Sequence, residues 1–249
     1  MQVALDDKRI FKAHVLCIFA LVGIYAALNA VAIASGHNYI FGLRDLFDLD
    51  GEHNVPALFS SVAILGAAAL MWSTGSLYRT RGMPLGRYWQ ALALVLVFLA
   101  ADESFSIHEE LGIMLRSRYG LFGRWQHSWV FAYAILVGVV GLAFARFLLR
   151  LPRDTRNAMI GAGCVFVAGA MGLEFAVGVL EDILPRFPTG ADQLEVAIEE
   201  SAEMLGVALL IRAVLKHATR VQRDALPAPA NPLLERLEKD LTTPSPREY

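Results

Sequence analysis

Three stretches of the chain carry side chains able to hold a metal ion or move a proton. One is Asp102-Glu103-x4-His108-Glu109, with Ser104 and Ser106 inside it. Another is the run Glu195, Glu199, Glu200 and Glu203, and the third is the isolated Glu174. His53 and His127 add imidazoles, the former beside Glu52 and shortly after Asp45, Asp48 and Asp50. Carboxylates with a few imidazoles suit Zn, Fe or Mn better than copper or a thiolate site. A divalent metal so held would activate water. The candidate metal groups are therefore Asp102, Glu103, His108, Glu109, Glu174, Glu199 and Glu203, with His53 in reserve. The candidate catalytic groups are Glu103, His108 and Glu200.

Familiar templates fit poorly. A di-iron carboxylate bundle wants Glu-x-x-His on two helices, and the chain contains no such tetrapeptide. HExxH is absent as well. Asp48-Leu49-Asp50-Gly51 starts like an EF-hand loop, but its glycine comes too early. Ser104-x-x-x-His108 would serve as a nucleophile or ligand pair in a membrane hydrolase. It resembles the alkaline-ceramidase-like superfamily at that point alone. The distal His-x-x-x-His of that superfamily is missing, so its function is not carried over. Two-histidine haem ligation has no spacing to recommend it.

The elements that position these residues read as membrane spans. Of 249 residues, 56% are hydrophobic and 18% charged, against about 45–50% and 25% in soluble domains. Mean hydropathy is +0.48. A net charge of −2 gives no reason to expect nucleic acid as a partner. Cys17 and Cys164 lie in apolar runs outside any CxxC and read as small buried residues. A span needs about 20 residues. His14–Ser35, Val55–Ser76 and Gln126–Ala145 meet this with few or no charges. The apolar run of the first exceeds a signal-peptide core, so it reads as an uncleaved helix. The other three spans cross only by carrying acids with them. Tyr88–Ala101 must continue through Asp102 towards His108, the fifth span meets Glu174, and only Met204–Ile211 separate Glu203 from Arg212.

The expected fold is all-α, a polytopic bundle of six spans near 14–35, 55–76, 88–109, 126–147, 157–180 and 194–215, forming one domain over residues 1–220. Residues 221–249 are polar and proline-rich and read as a disordered tail. Asn231-Pro232 would start a short helix to Leu241. Leu43–Leu49 would be a short interfacial helix. With six alternating spans, all but Arg44, Arg116, Arg118, Arg124 and Arg186 of the 22 basic residues fall on one side. The positive-inside rule then makes both termini cytoplasmic.

That orientation brings the acids and histidines of five helices to one depth in the outer leaflet. At about 100° per residue, Asp102, Ser106 and Glu109 share a face, as do Glu174 and Glu181. Glu195, Glu199, Glu200 and Glu203 fall within about 140°. Acids so placed must pair, bind a cation, line water or be protonated, since a central Asp costs about 2.5–3.5 kcal/mol to insert. Blander roles fit others. Glu110, Glu181 and Glu195 read as headgroup-level surface, and His14 as a structural residue at the cytoplasmic end. Trp125 and Trp129 read as an interface belt. Gly161, Gly163, Gly169, Gly172 and Gly178 read as helix-packing positions.

The stretch Phe47-Asp-Leu-Asp50-Gly-Glu52-His-Asn54-Val-Pro56-Ala-Leu-Phe59-Ser60-Ser61 resembles the start of the second span in an uncharacterised family of bacterial multi-spanning inner-membrane proteins. The Asp102-Glu103-x4-His108-Glu109 segment is similar to a second motif of that family. The resemblance implies a shared site and an inner-membrane location, and no reaction. The expected function is a membrane metalloenzyme acting on a lipid-like or periplasmic substrate within the bilayer. The alternatives are a small proton- or cation-coupled transporter and a non-catalytic subunit of a membrane complex, whose protein partners the sequence does not name.

Overall fold

The computed structural model describes residues 6–37, 40–119, 129–183 and 190–224. Among them every regular element is helical. Helix α1, Asp7–Ser35, starts where the Asp6 carboxylate accepts the N–H groups of Lys8 and Arg9, and it ends at Gly36 with φ +66°. A short helix α2, Leu43–Leu46, stands where a seven-residue one was expected. Helix α3, Val55–Thr80, is capped by Asn54 and has Pro56 in its first turn. Then come α4, Gly86–Phe105, α5, Ile107–Tyr119, and α6, Trp129–Arg150. Helix α7, Arg153–Val167, passes through a π turn at Ala168–Leu173 into α8, Glu174–Ile183. The longest helix is α9, Ala191–Asp224.

Five segments are long and apolar enough to cross a membrane: Asp7–Ser35, Val55–Thr80, Gly86–Phe105, Trp129–Arg150 and Arg153–Val177. Their outer faces are those of a membrane protein. Phe19, Ile135 and Leu142 are 71%, 70% and 80% exposed, which lipid solvates and water would not. Cys17 and Cys164, expected to be buried, are exposed on such faces. A small weakly polar side chain meets the same apolar surroundings there as in a core. Helix α9 is not among the five, because its acids interrupt the apolar run. The third expected span also differs. It was expected to run on to 109, but α4 stops at Phe105, where Ser106 takes φ +50° and α5 begins in a new direction. The helix expected over 231–241 and residues 225–249 of the tail lie outside the described residues, while 221–224 belong to α9.

Close approaches of backbone fix the bundle. A Cβ on Gly75 would stand 2.7 Å from the Gly86 carbonyl, so α3 and α4 meet at a point only glycine allows. A Cβ on Gly206 would stand 2.8 Å from the backbone nitrogen of Phe166, which brings α9 hard against α7. A Cβ on Gly169, in the π turn, would likewise stand 2.9 Å from the Glu199 carbonyl. Gly161 and Gly163 have open space where their side chains would be, so not every expected packing glycine packs. His14 is not at a helix end either. It packs 5.0 Å from Phe59, near the start of α3.

At the opposite end from Asn54, a polar knot ties four helices. The His217 ring packs beside Tyr78 and Trp89, with centroids 5.9 and 5.2 Å away, and those two rings also touch each other. Its Nε2 is 2.8 Å from the Tyr78 hydroxyl and its Nδ1 3.0 Å from the Thr155 hydroxyl. Phe147 meets Trp89 edge-on at 5.2 Å. Helix α1 begins beside the same part of α9, with Arg212 Nε 3.2 Å from Asp7.

This packing has two measurable consequences. Tyr78→Phe leaves one buried ring nitrogen of His217 unmatched, and thermal unfolding in detergent should show a loss of about 1–3 kcal/mol. Gly206→Ala should cost about 1–3 kcal/mol through overpacking against Phe166, whereas Gly161→Ala should leave the midpoint unchanged or raise it. Equal midpoints for the two glycine variants would refute the close α7–α9 contact.

Candidate functional site

The end of the bundle at which α3, α6 and α9 begin holds a cavity of about 160 Å³. Helix α9 contributes Glu199, Glu200 and Glu203, three turn-spaced acids on one face. Helix α4 contributes Asp102 and Glu103, α5 contributes His108 and Glu109, and Glu174 enters directly after the π turn. All eight of these sequence-identified candidates therefore line one space. His53 does not. It is exposed with φ +60°, and that turn directs the neighbouring Glu52 to the cavity instead. Trp125 and His127 lie outside the described residues, as do the side chain of Glu181 and the surroundings of Gly178.

The loop before α3 is built to present Glu52. The Asn54 side chain accepts the Ala57 N–H at 3.1 Å and donates to the Asp48 carbonyl at 2.6 Å. One amide thereby caps the helix and closes the loop. Gly51 is required inside it, because a Cβ there would stand 2.7 Å from Asn54 Nδ2. Asp50 and Glu52 then flank Gly51 on the cavity wall.

Asp102 organises the opposite wall. It is 4% exposed and fully engaged. Its Oδ1 accepts the His108 backbone N–H at 2.9 Å and the Tyr133 hydroxyl at 2.7 Å. Its Oδ2 lies 3.4 Å from His108 Nδ1. The reversal at Ser106 makes this possible, since it brings the first turn of α5 back over the last turn of α4. One carboxylate so satisfies a donor of a helix start, a tyrosine and an imidazole. With Nδ1 turned to Asp102, Nε2 is the ring nitrogen left to face a ligand. Trp129 packs on the same ring, with centroids 4.7 Å apart. It is a wall of the site rather than a member of an interface belt.

Ligand atoms of Glu52, His108 and Glu109 lie within 4.8 Å of one another. Glu52 Oε2 is buried and has no hydrogen-bond partner among the described residues. The charge balance around these atoms is one-sided. Nine carboxyl groups and one imidazole line the cavity, and no Lys or Arg does so among the described residues. The groups outside the apolar spans register this. Burial, then Asp48 and Glu174, pushes the Asp50 carboxyl above its ordinary value. Burial, then Glu52, does the same to Glu109. For His108 burial acts against the charged form, but the hydrogen bond and charge of Asp102, with Glu109 and Glu52, outweigh it and raise the imidazole.

Sequence reasoning missed Glu52, Asp50, Tyr133 and the part played by Trp129. Glu52 was within reach, since it stands inside the FDLDGEHNVP stretch, but the adjacent histidine drew the assignment. Tyr133 had one signal, its place one helical turn after Trp129.

Fold and cavity together define an all-helical membrane protein with a carboxylate-rich, imidazole-bearing chamber at one end of its bundle. The chain belongs to the family described as Domain of unknown function (DUF8692), which matches residues 15–218 and so contains every residue of the cavity. Neither a curated protein nor a solved structure matches it.

Asp102→Ala strands the His108 backbone N–H and the Tyr133 hydroxyl, each at about 1–3 kcal/mol, and also removes the partner of the His108 ring. Unfolding measurements should therefore show a larger loss for Asp102→Ala than for Tyr133→Phe. The double variant should lose less than the two single losses added, because both remove the same bond. Strict additivity would mean that Asp102 and Tyr133 do not interact.

Proposed function

We propose that this chamber binds one divalent metal, Zn, Fe or Mn, through Glu52, His108 and Glu109, and that the protein is a membrane metalloenzyme. The observation that carries the reading is the convergence of those three ligand atoms within 4.8 Å in a cavity with no Lys or Arg among its described lining residues. The donor set fits such an ion. An imidazole held at Nδ1 by a buried carboxylate is the arrangement that fixes a metal-binding histidine. The buried, unmatched Glu52 oxygen is a waiting acceptor. Two oxygens and one nitrogen leave positions open for water and substrate. A metal here would lower the pKa of bound water, and Glu103 and Glu200, on the same cavity wall, would take up its proton. Glu174, Glu199 and Glu203 then form the outer acidic ring, and the substrate is lipid-like or periplasmic.

In this reading α9 is a sixth span, both termini are cytoplasmic and the chamber opens in the outer leaflet of a bacterial inner membrane. The basic residues Lys216, Arg220 and Arg223 near the end of α9, beside Asp7 at the start of α1, accord with that orientation. A carrier is less well supported. The layer directly beneath the acids is apolar, formed by Leu99, Phe166 and Val167, and the far end is closed by the His217 knot. A proton or cation path would need polar groups there.

Elemental mass spectrometry on the protein purified in mild detergent tests the proposal. About one equivalent of Zn, Fe or Mn is expected in the wild type, and His108→Ala and Glu52→Ala should lose it. Asp102→Asn should weaken binding about 10–100-fold, as loss of an orienting partner does, and His53→Ala should keep the metal. Wild-type protein that is metal-free and takes up none of the three ions would sink the reading.

A further inference from the structure

Beneath the acidic chamber lies a second cavity of about 120 Å³, between α3, α4, α7 and α9. The two adjoin, with Leu99, Phe166 and Val167 lining both. Its character is the reverse of the first, since no polar side chain lines it among the described residues. It runs along α9 from Gly206 to Leu210, which at 1.5 Å per residue is about 6 Å along the bundle. Gly163 forms part of its wall and is exposed, and a Cβ there would meet nothing within 4 Å. The slot therefore opens sideways through the outer surface of the bundle, where lipid stands.

An apolar slot of this kind stays dry, and left empty it forfeits dispersion contacts along its walls. Hydrocarbon entering from the bilayer restores them. The polar chamber at the upper end accepts what a hydrocarbon chain ends in. We propose that the slot holds the few methylenes nearest the head group of one acyl chain of a membrane lipid, the rest of the chain leaving into the bilayer, and that the lipid's oxygen-bearing head group lies in the acidic chamber. The substrate class is thus an amphiphile, not a water-soluble periplasmic compound. The inference rests on the metal reading for how an oxygen-rich head group is tolerated among carboxylates. The chain site itself stands on the slot's shape and lining.

The test uses the full chain in lipid nanodiscs, with palmityl phosphate carrying a diazirine a few carbons from its head group as the probe. Photolabelled peptides are mapped, and metal content is measured on the same samples. Adducts are expected on the slot walls, at Phe166 and Leu210. Gly163→Leu should reduce them about tenfold, the effect of displacing roughly two buried methylenes. Gly138→Leu, on α6 and away from the slot, should leave them unchanged. Thermal melting of each variant confirms folding, and the wild-type adduct map stands without either variant. Adducts spread over outward-facing positions such as Ile135 and Leu142, and indifferent to Gly163→Leu, would overturn the chain site whether or not metal is present. Slot-localised adducts on metal-free protein would uphold the chain site and count against the metal reading alone.

Discussion

Carboxyl groups inside a helical membrane bundle must be compensated, and that requirement organises this protein. Each costs several kcal/mol to place there alone, and this cavity gathers nine with a single imidazole. The structure meets part of the demand internally. Asp102 is saturated by the His108 amide, the Tyr133 hydroxyl and the His108 ring. The Ser60 hydroxyl bonds Glu103. Ser61 and Ser104, 2.9 Å apart, add a polar tie between α3 and α4 at the same level. One oxygen of Glu52 is buried with no hydrogen-bond partner among the described residues, and it faces the same space as His108 and Glu109.

The backbone is shaped around the same demand. Helices α7 and α9 approach closely only because Gly206 and Gly169 present no side chains to Phe166 and to the Glu199 carbonyl. The π turn inserts one extra residue at that contact and so re-aims helix α8. Glu174 comes directly after it and reaches the cavity. At α4 the same end is achieved differently. The left-handed Ser106 ends one helix and starts another, so that Asp102 and His108, six residues apart, face each other rather than lying on separate faces of a continuous helix. Two local irregularities, each in a place where a regular helix would carry its acids elsewhere, assemble the site.

This explains what the amino-acid sequence disclosed and what it concealed. Apolar length exposed the spans, because the bilayer imposes a minimum on every one of them. That the acids of α4, α8 and α9 share a depth was legible from alternating direction, since ends that share a side share a depth; that these helices are neighbours was not. The exchange of His53 for Glu52 was not. A backbone φ of +60° at one residue decides which of two neighbours faces inward, and histidine carries no strong signal for it. Nor was the break at Ser106, where a serine adopts a conformation that glycine would have announced. The π turn was readable only as small residues, Ala168-Gly169-Ala170, whose packing role and functional role look the same in sequence.

The two ends of the bundle differ in a way that bears on mechanism. At the Tyr78 end, the buried His217 imidazole is fully satisfied, with both ring nitrogens bonded and Tyr78 and Trp89 packed against it. At the Asn54 end, the other imidazole has one nitrogen fixed and one available. Between them lies apolar surface with no polar side chain among the described residues. Alternating access would require the hydrogen-bonded knot to open and the apolar slot, whose described lining carries no polar side chain, to admit charge. A chamber entered from one end and extended by an apolar slot calls for no such rearrangement. On the proposed reading, chemistry would occur where a head group meets the acids while the hydrocarbon stays in surroundings like those it left, so the membrane would supply the substrate and the bundle would need only to stay closed behind it.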